Sequence, residues 1–153
     1  MLRKITGFST DENGDWVANL ECFHGQHVRH NPPFVRRQWV VSKEGRKSRL
    51  GHALDCLKCN RMEWPDHLVI TKRTTEINEK SIPEYFMNDY VLETGTWGKI
   101  VVLQGELGYK VNVPFKLSSQ IMTGEYGIIV PDTKCFIIPF GDVRFFIEFY
   151  TRQ

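Results

Sequence analysis

The 153-residue sequence lacks any long hydrophobic run. No segment approaches the ~18 consecutive apolar residues that a membrane-spanning helix needs. Basic residues occur near the start, at Arg3 and Lys4, but no apolar stretch follows them, so no secretory signal is expected. We therefore expect a cytoplasmic protein with no membrane partner.

A strong charge of one sign is also missing. The formal net charge is only +2, which is too small to indicate a polyanionic partner. The charge is unevenly spread, however. Residues 1–65 contain 11 Lys and Arg against 7 Asp and Glu (+4), whereas residues 66–153 contain 9 against 11 (−2). This difference favours two units with different surfaces.

Cysteine is scarce, and its distribution is informative. Three of the four cysteines and three of the five histidines fall in two short segments. The first segment holds Cys22, His24, His27 and His30, and the second holds Cys56 and Cys59. In the cytosol thiols stay reduced, so a Cys-x-x-Cys pair is typical of a metal or redox site and not of a structural disulfide.

The two segments together predict one structural zinc site. Zinc takes four ligands in a tetrahedron, usually Cys thiolates and His nitrogens. Cys56 and Cys59 supply two ligands, and Cys22 and His24 supply the other two from one strand end. His27 is the main substitute for His24, and His30 is a weaker one. A Cys₃His set suits Zn²⁺ better than Mg²⁺ or Ca²⁺ because its ligands are soft.

Three alternatives to a structural zinc remain open from the sequence. The cysteines could be small buried apolar residues beside a polar loop. Cys56 and Cys59 could form a redox dithiol, although such a motif normally begins a helix after a strand and here it is expected to follow a helix. The surplus histidines leave a catalytic metal open. A closed set of four protein ligands favours the structural role, because a unit of ~60 residues has a small core.

The first ~60 residues predict a small β-hairpin and helix module. Residues 3–8 and 15–21 read as strands joined by a turn that contains Asn13 and Gly14. Residues 38–41 form a short strand candidate. Ser42 is a candidate N-cap for a helix that runs to about Leu54 and leads into the second cysteine pair.

After Trp64 and Pro65 the sequence becomes rich in strand-forming residues. Strands are predicted over residues 88–92, 99–104, 108–113, 126–130, 135–139 and 143–150, with Gly-containing turns between several of them. Many short strands without a long helix favour a barrel or a sandwich of two sheets. We therefore predict a mainly β protein with a module at residues 1–64 and a β domain at residues 66–153.

Two family resemblances add to this interpretation. The first is carried by Ile5-Thr6-Gly7-Phe8, Gly14-Asp15-Trp16, the run from Cys22 to Pro33, and Leu54-Asp55-Cys56-x-x-Cys59. This pattern resembles a small bacterial domain family of uncharacterised function. Residues from about 69 to 152 resemble the TehB/YeaR-like domain of tellurite-resistance-associated proteins. The residues that carry this second resemblance are Lys72-Arg73-Thr74, Ile82-Pro83, Gly95-Thr96-Trp97-Gly98-Lys99 and Pro139-x-Gly141-x-Val143-Arg144.

The second resemblance implies a cupin-like β-sandwich (jelly roll) with a pocket between its sheets. Our candidate lining residues for that pocket are Tyr90, Trp97, Cys135, Arg144 and Glu148. Members of the family usually carry His at the positions of Tyr90 and Cys135. The cupin metal centre is therefore not expected in this chain.

These observations favour a non-enzymatic protein. In this hypothesis a zinc-stapled module is joined to a domain that binds a small ligand or a protein partner, and the resemblance suggests a tellurite or oxyanion stress response. The first alternative is a nucleic-acid-binding regulator that uses Arg29, Arg36, Arg37, Arg46, Lys47 and Arg49 with Phe34 and Trp39. The second is a cupin-type enzyme with Cys135 as nucleophile. The sequence also leaves homo-oligomer formation open.

Overall fold

The computed structural model describes residues 1–28 and 37–152 of the chain. The chain divides into two compact units, Met1–Asp66 and His67–Gln153. No helix within the described residues is long and apolar enough to cross a membrane.

Unit 1 is built on a four-stranded sheet with the order β3-β2-β1-β4. Its strands are β1 (Leu2–Thr10), β2 (Trp16–Leu20), β3 (Gly25–His27) and β4 (Ala53–Asp55). The predicted hairpin is confirmed, because β1 and β2 pair antiparallel from Ile5↔Leu20 to Thr10↔Trp16. Its turn has Gly14 at φ 74°, a left-handed conformation that glycine adopts without steric cost.

The helical part of unit 1 is shorter than predicted. Residues Gln38–Val41 form a helical turn, α1, so the strand predicted there is wrong. Ser42 does cap a helix, since its Oγ accepts a hydrogen bond from the Gly45 amide at 2.9 Å. That helix, α2, covers only Lys43–Lys47.

The predicted extension of α2 to Leu54 is wrong for a tertiary reason. After α2 the chain turns at Gly51 (φ 79°), whose amide donates to the Ile5 carbonyl at 2.8 Å. Residues Ala53–Asp55 then pair antiparallel with the start of β1 as strand β4. Sheet pairing with a distant strand thus overrides the local helical pattern, and Leu50 is exposed.

Unit 2 contains a six-stranded antiparallel sheet. Its central strands are β7 (Trp97–Val113) and β10 (Lys134–Arg152), and its other elements are β5 (Leu68–Arg73), β6 (Ile77–Asn78), α4 (Glu84–Met87), β8 (Leu117–Met122) and β9 (Tyr126–Ile129). Strands β5 and β6 pair with one edge of β10, and β8 and β9 pair with the far edge of β7. The short helix α3 (Leu57–Asn60) belongs to unit 1.

Strands β7 and β10 are each longer than the sequence predicts. Breaks were expected near Gly105 and Gly141, but both strands continue through these glycines. Pairing runs from Trp97↔Tyr150 to Val113↔Lys134, with an irregular register beside Gly141. Gly105 and Gly141 both have positive φ, so they bend a continuous two-stranded ladder and do not end it.

Three further predictions for unit 2 need correction. Residues 88–92 are not a strand, because only Tyr90 forms an isolated bridge, to Cys135. Strands β5, β6 and β8 and helix α4 were not predicted. The structure confirms a mainly β unit with a curled sheet, and its fully buried side chains include Trp97, Ile100, Tyr109, Phe145 and Ile147. The cupin-like sandwich is not confirmed, since the described strands of unit 2 all belong to one hydrogen-bonded sheet.

Candidate metal centre

The turn between β2 and β3 brings Cys22 and His24 together. The Phe23 amide donates to the Leu20 carbonyl at 2.8 Å, and the Leu20 amide donates to the His24 carbonyl at 3.0 Å. Phe23 takes a left-handed conformation with φ 70°. This tight reversal points the Cys22 thiol and the His24 ring to the same side, where Cys22 Sγ lies 3.6 Å from His24 Nδ1.

The second cysteine pair lies where β4 passes into α3. Cys56 is the N-cap of α3, and its Sγ accepts a hydrogen bond from the Cys59 amide at 3.4 Å. The expectation that this motif follows a helix is therefore wrong: it follows a strand and begins a one-turn helix. The helical turn directs both sulfurs to the same side, which is the geometry that a shared ion needs.

The four side chains of the predicted set converge in the core of unit 1. Their ligand atoms all lie within 4.8 Å of one another. Cys56 Sγ and Cys59 Sγ are each 3.4 Å from His24 Nδ1. Cys22 Sγ lies 3.8 Å from Cys56 Sγ. A Zn–S bond of ~2.3 Å places two sulfurs of a tetrahedron roughly 3.8 Å apart, so this donor set has the dimensions of a zinc site.

The electrostatics of the cluster also suit a cation. Hydrogen bonding from Cys22, and next from Cys59, lowers the pKa of the Cys56 thiol. The hydrogen bond with Cys56 raises the pKa of Cys22 to about 11, and the hydrogen bond with Cys22 raises that of Cys59. One thiolate therefore opposes the ionisation of its neighbours. A bound divalent cation would remove that repulsion and hold all three as thiolates.

The main substitute, His27, does not join this cluster. His27 Nε2 lies 2.8 Å from Asp11 Oδ2, and its side chain is 51% exposed. His24, by contrast, is buried among the thiols. His30 lies outside the described residues. The arrangement gives four protein ligands, so a bound ion would have no open position for a water molecule.

The predicted nucleic-acid surface of unit 1 falls partly outside the described residues, since these do not include Arg29, Phe34 and Arg36. Of the others, the Arg46 guanidinium stacks on Trp16 at 3.7 Å and donates to the Val40 and Val41 carbonyls. The Arg49 guanidinium lies 5.3 Å from the centre of the Trp39 ring. Trp39 therefore has an arginine of its own chain over its ring, in the position where a base would stack.

The five predicted pocket residues of unit 2 do not form one cluster. Trp97 and Cys135 are buried in the core, at 0% and 1% exposure. Arg144 is exposed and pairs with Glu76 at 3.0 Å. Glu148 pairs instead with Arg73 at 2.6 Å and accepts a hydrogen bond from the Tyr150 hydroxyl at 2.6 Å. Arg144 and Glu148 therefore have different partners and do not pair with each other.

A cavity of about 420 Å³ lies elsewhere in unit 2, and of the predicted pocket residues only Tyr90 lines it. Its other lining residues are Thr71, Lys72, Val91, Leu92, Glu93, Thr96 and Phe149. Sequence reasoning missed Thr71 and Lys72 because β5 was not recognised. The run Leu68–Arg73, with Val, Ile and Thr at its centre, carried the propensity signal that could have identified it.

Comparison with known proteins confirms both family resemblances. Residues 72–147 match the family model described as TehB-like domain, and residues 6–63 match the one described as Protein of unknown function (DUF3565). No curated protein matches the chain.

Two solved structures share the fold of unit 2. One is a protein from E. coli (strain K12), with TM-score 0.54, 17% identity, and coverage of 60% of this chain and 97% of that chain. The other is TehB from Haemophilus influenzae, with TM-score 0.53, 18% identity, and coverage of 57% of this chain. The present chain spans only 32% of TehB. Identities this low show a common fold alone.

Proposed function

We propose that the protein is a non-enzymatic, two-domain binding protein. Unit 1 holds a structural zinc ion through Cys22, His24, Cys56 and Cys59, and unit 2 binds a small ligand. The observation that carries the proposal is the convergence of three buried thiols and one imidazole nitrogen within 4.8 Å. Four soft and borderline ligands in that arrangement favour Zn²⁺ over the hard cations Mg²⁺ and Ca²⁺.

A structural role for the zinc follows from the size and construction of unit 1. The four ligands come from the β2–β3 turn and the β4–α3 junction, which are 32 residues apart between His24 and Cys56. A shared ion would tie these segments together across the sheet. Unit 1 has ~66 residues and therefore a small core, which makes such a staple valuable. A redox dithiol at Cys56 and Cys59 would leave the approach of Cys22 and His24 unexplained.

A binding role for unit 2 is favoured over catalysis by the state of Cys135. Its thiol is buried and donates to the Tyr90 carbonyl at 3.4 Å. Burial raises its pKa to about 11, so at neutral pH it is a protonated and shielded thiol, not a nucleophile. Unit 2 contains one histidine, His67, and the hydrogen-bond acceptor of the Cys135 thiol is instead the Tyr90 carbonyl.

A role in a tellurite or related oxyanion response is the part of the proposal that rests on family association. The match of residues 72–147 to the TehB-like domain motivates it. Family membership transfers a fold more safely than a function, so this part needs its own cellular test. A deletion strain should be more sensitive to tellurite than its parent, and equal sensitivity would remove this part while leaving the zinc and ligand sites untouched.

Metal analysis of the freshly purified full-length protein tests the central claim. We expect about one equivalent of zinc per chain, and less than about half an equivalent would contradict the proposal. Cys59→Ser should lose most of the metal, because it removes one of four ligands. Cys135→Ser provides the matched control, since it changes the one cysteine outside the cluster and should keep its zinc.

A further inference from the structure

The cavity of unit 2 lies beside the paired ends of β5 and β10. Thr71 and Lys72 of β5, Phe149 of β10 and the segment from Tyr90 to Thr96 enclose it. We call it the β5–β10 pocket. Its volume of about 420 Å³ falls in the range of small-molecule sites, which is roughly 300–1,000 Å³. None of the zinc ligands contributes to it.

The walls of the β5–β10 pocket are held in place by backbone and side-chain hydrogen bonds. Tyr90 and Cys135 exchange both backbone hydrogen bonds, at 2.6 and 2.9 Å. The Asp132 amide donates to the Leu92 carbonyl at 2.9 Å, and the Thr94 hydroxyl donates to the Asp132 carboxylate at 2.9 Å. Phe86 and Tyr85 pack behind the Tyr90 ring, at 4.6 and 5.7 Å between ring centres. A pocket built this way is formed before a ligand arrives, which lowers the entropic cost of binding.

The lining carries one charge of each sign. Lys72 supplies an ammonium group and Glu93 a carboxylate, and neither forms an ion pair with another described residue. The Glu93 carboxylate accepts only a long hydrogen bond from Thr96, at 3.5 Å. The lining also includes apolar side chains, chiefly Leu92 and Phe149. A ligand that matches this lining has both a carboxylate and an ammonium group on an aliphatic body.

The Tyr90 hydroxyl adds a neutral hydrogen-bond donor to the wall. Burial raises the pKa of this phenol to about 12, so it keeps its proton throughout the neutral range. A protonated phenol can donate to a ligand carboxylate and does not repel it. The wall therefore offers two donors to an anionic group, Lys72 and Tyr90, against one acceptor for a cationic group, Glu93.

We propose that the β5–β10 pocket binds a small aliphatic amino acid, with Lys72 and Tyr90 holding its carboxylate and Glu93 holding its ammonium group. The inference rests on the proposed ligand-binding role of unit 2 and names the chemical class of its ligand. The apolar side chains of Leu92 and Phe149 would receive the aliphatic part. Recognition of both charges separates this class from simple carboxylic acids and simple amines.

Titration of ¹⁵N-labelled full-length protein with glycine, L-leucine, 4-aminobutyrate and 6-aminohexanoate tests the proposal. These probes vary the separation of the two charges and the aliphatic bulk. We expect saturable amide shifts centred on residues 71–72, 90–96 and 149 for at least one probe. Isovalerate and isobutylamine, each with a single charge, should bind about tenfold more weakly or worse. Lys72→Gln and Glu93→Gln should each weaken binding by a similar factor, since tenfold corresponds to one lost favourable contact.

Matched variants and the location of the shifts separate the outcomes. Lys116→Gln and Glu84→Gln change exposed charges of unit 2 outside the pocket and should bind as the parent does. Saturable shifts elsewhere in residues 67–152 would overturn this inference and leave the ligand-binding role intact. Absence of saturable shifts with all four zwitterions would overturn the inference alone, because zinc content tests the proposed function separately. Equal affinity for the single-charge probes would also overturn it.

Discussion

Each zinc-ligand candidate has its own surroundings, and these decide which histidine joins the thiols. His24 and His27 lie three residues apart, and both could reach an ion from a flexible loop. The left-handed Phe23 and the hydrogen bonds of the β2–β3 turn bury the ring of His24 against the thiols. His27, at the end of β3, faces Asp11 across the neighbouring hairpin turn. Spacing favoured His24 and kept His27 as its substitute, and the backbone conformation separates them.

Glu148 is the residue whose ionisation we expect to influence the acid stability of unit 2. The desolvation of this carboxylate is outweighed by hydrogen bonds from Tyr150 and Arg73, so its pKa lies below the ordinary value. A folded-state pKa below the unfolded value means that the stabilisation is present above the unfolded pKa, near 4.5, and is lost as the pH falls through the folded pKa.

Glu148→Gln should therefore lower the stability of unit 2 at pH 7 by about 1–2 kcal/mol. It should also flatten the loss of stability between about pH 5 and 3, the range in which a Glu carboxylate is protonated. Thermal unfolding followed at several pH values measures both effects. Glu76→Gln is the control. The ion pair between Glu76 and Arg144 is half-exposed, so it contributes only about 0–1 kcal/mol to the free energy of unfolding. An unchanged acid slope in Glu148→Gln would contradict the assignment.

Among the elements, the long β7–β10 ladder depends on glycine at its bend. Gly105 has φ 78°, and a methyl group built on it would lie 2.2 Å from the Asp142 carbonyl oxygen of the paired strand. Gly141 also has positive φ, 69°, but a methyl group there would meet nothing within 4 Å. A side chain at either position would strain the backbone, but the two positions differ in steric space.

This pair gives a sharp test of the bend. Gly141→Ala should cost about 1–2 kcal/mol, the usual cost of a left-handed non-glycine residue. Gly105→Ala should cost at least about 2 kcal/mol more, because it adds a clash with backbone of the paired strand. Urea unfolding of both variants measures the difference. Equal losses of stability would mean that the close approach at Gly105 is relaxed in solution.

Short helices show why element boundaries were harder to predict than element types. Ser42 was recognised as a cap from its side chain alone, and it caps α2. The end of α2 at Lys47 was not recognised, because it depends on β1. The Ile5 carbonyl accepts a hydrogen bond from the Gly51 amide, and Ala53–Asp55 then pairs with β1 at the edge of the sheet. Local sequence reports a cap well, but it does not report a strand partner ~50 residues away.

For the whole molecule, the zinc ligands belong to one compact unit. All four lie in Met1–Asp66, and none lies in His67–Gln153. We expect removal of zinc with a chelator to collapse the dispersed amide signals of residues 1–66 and to leave those of residues 67–152 largely in place. Re-addition of zinc should restore the first set, because ligand binding and folding are coupled in small zinc modules. Simultaneous loss of both sets would show that the two units fold as one.

The sequence by itself determined the chemistry of this protein more fully than its shape. The residues that could bind zinc, the hairpin turn at Gly14, the mainly β character and both family resemblances are properties of local patterns, which need no knowledge of distant contacts. The tertiary structure decided between His24, which the sequence preferred, and its substitute His27, because it buries only His24 of the two among the thiols. It also made β4 a strand, kept β7 and β10 continuous through their glycines, and dispersed the predicted pocket residues. Each of these outcomes depends on partners far away in the chain, whose pairing energies exceed the small preferences that local sequence expresses.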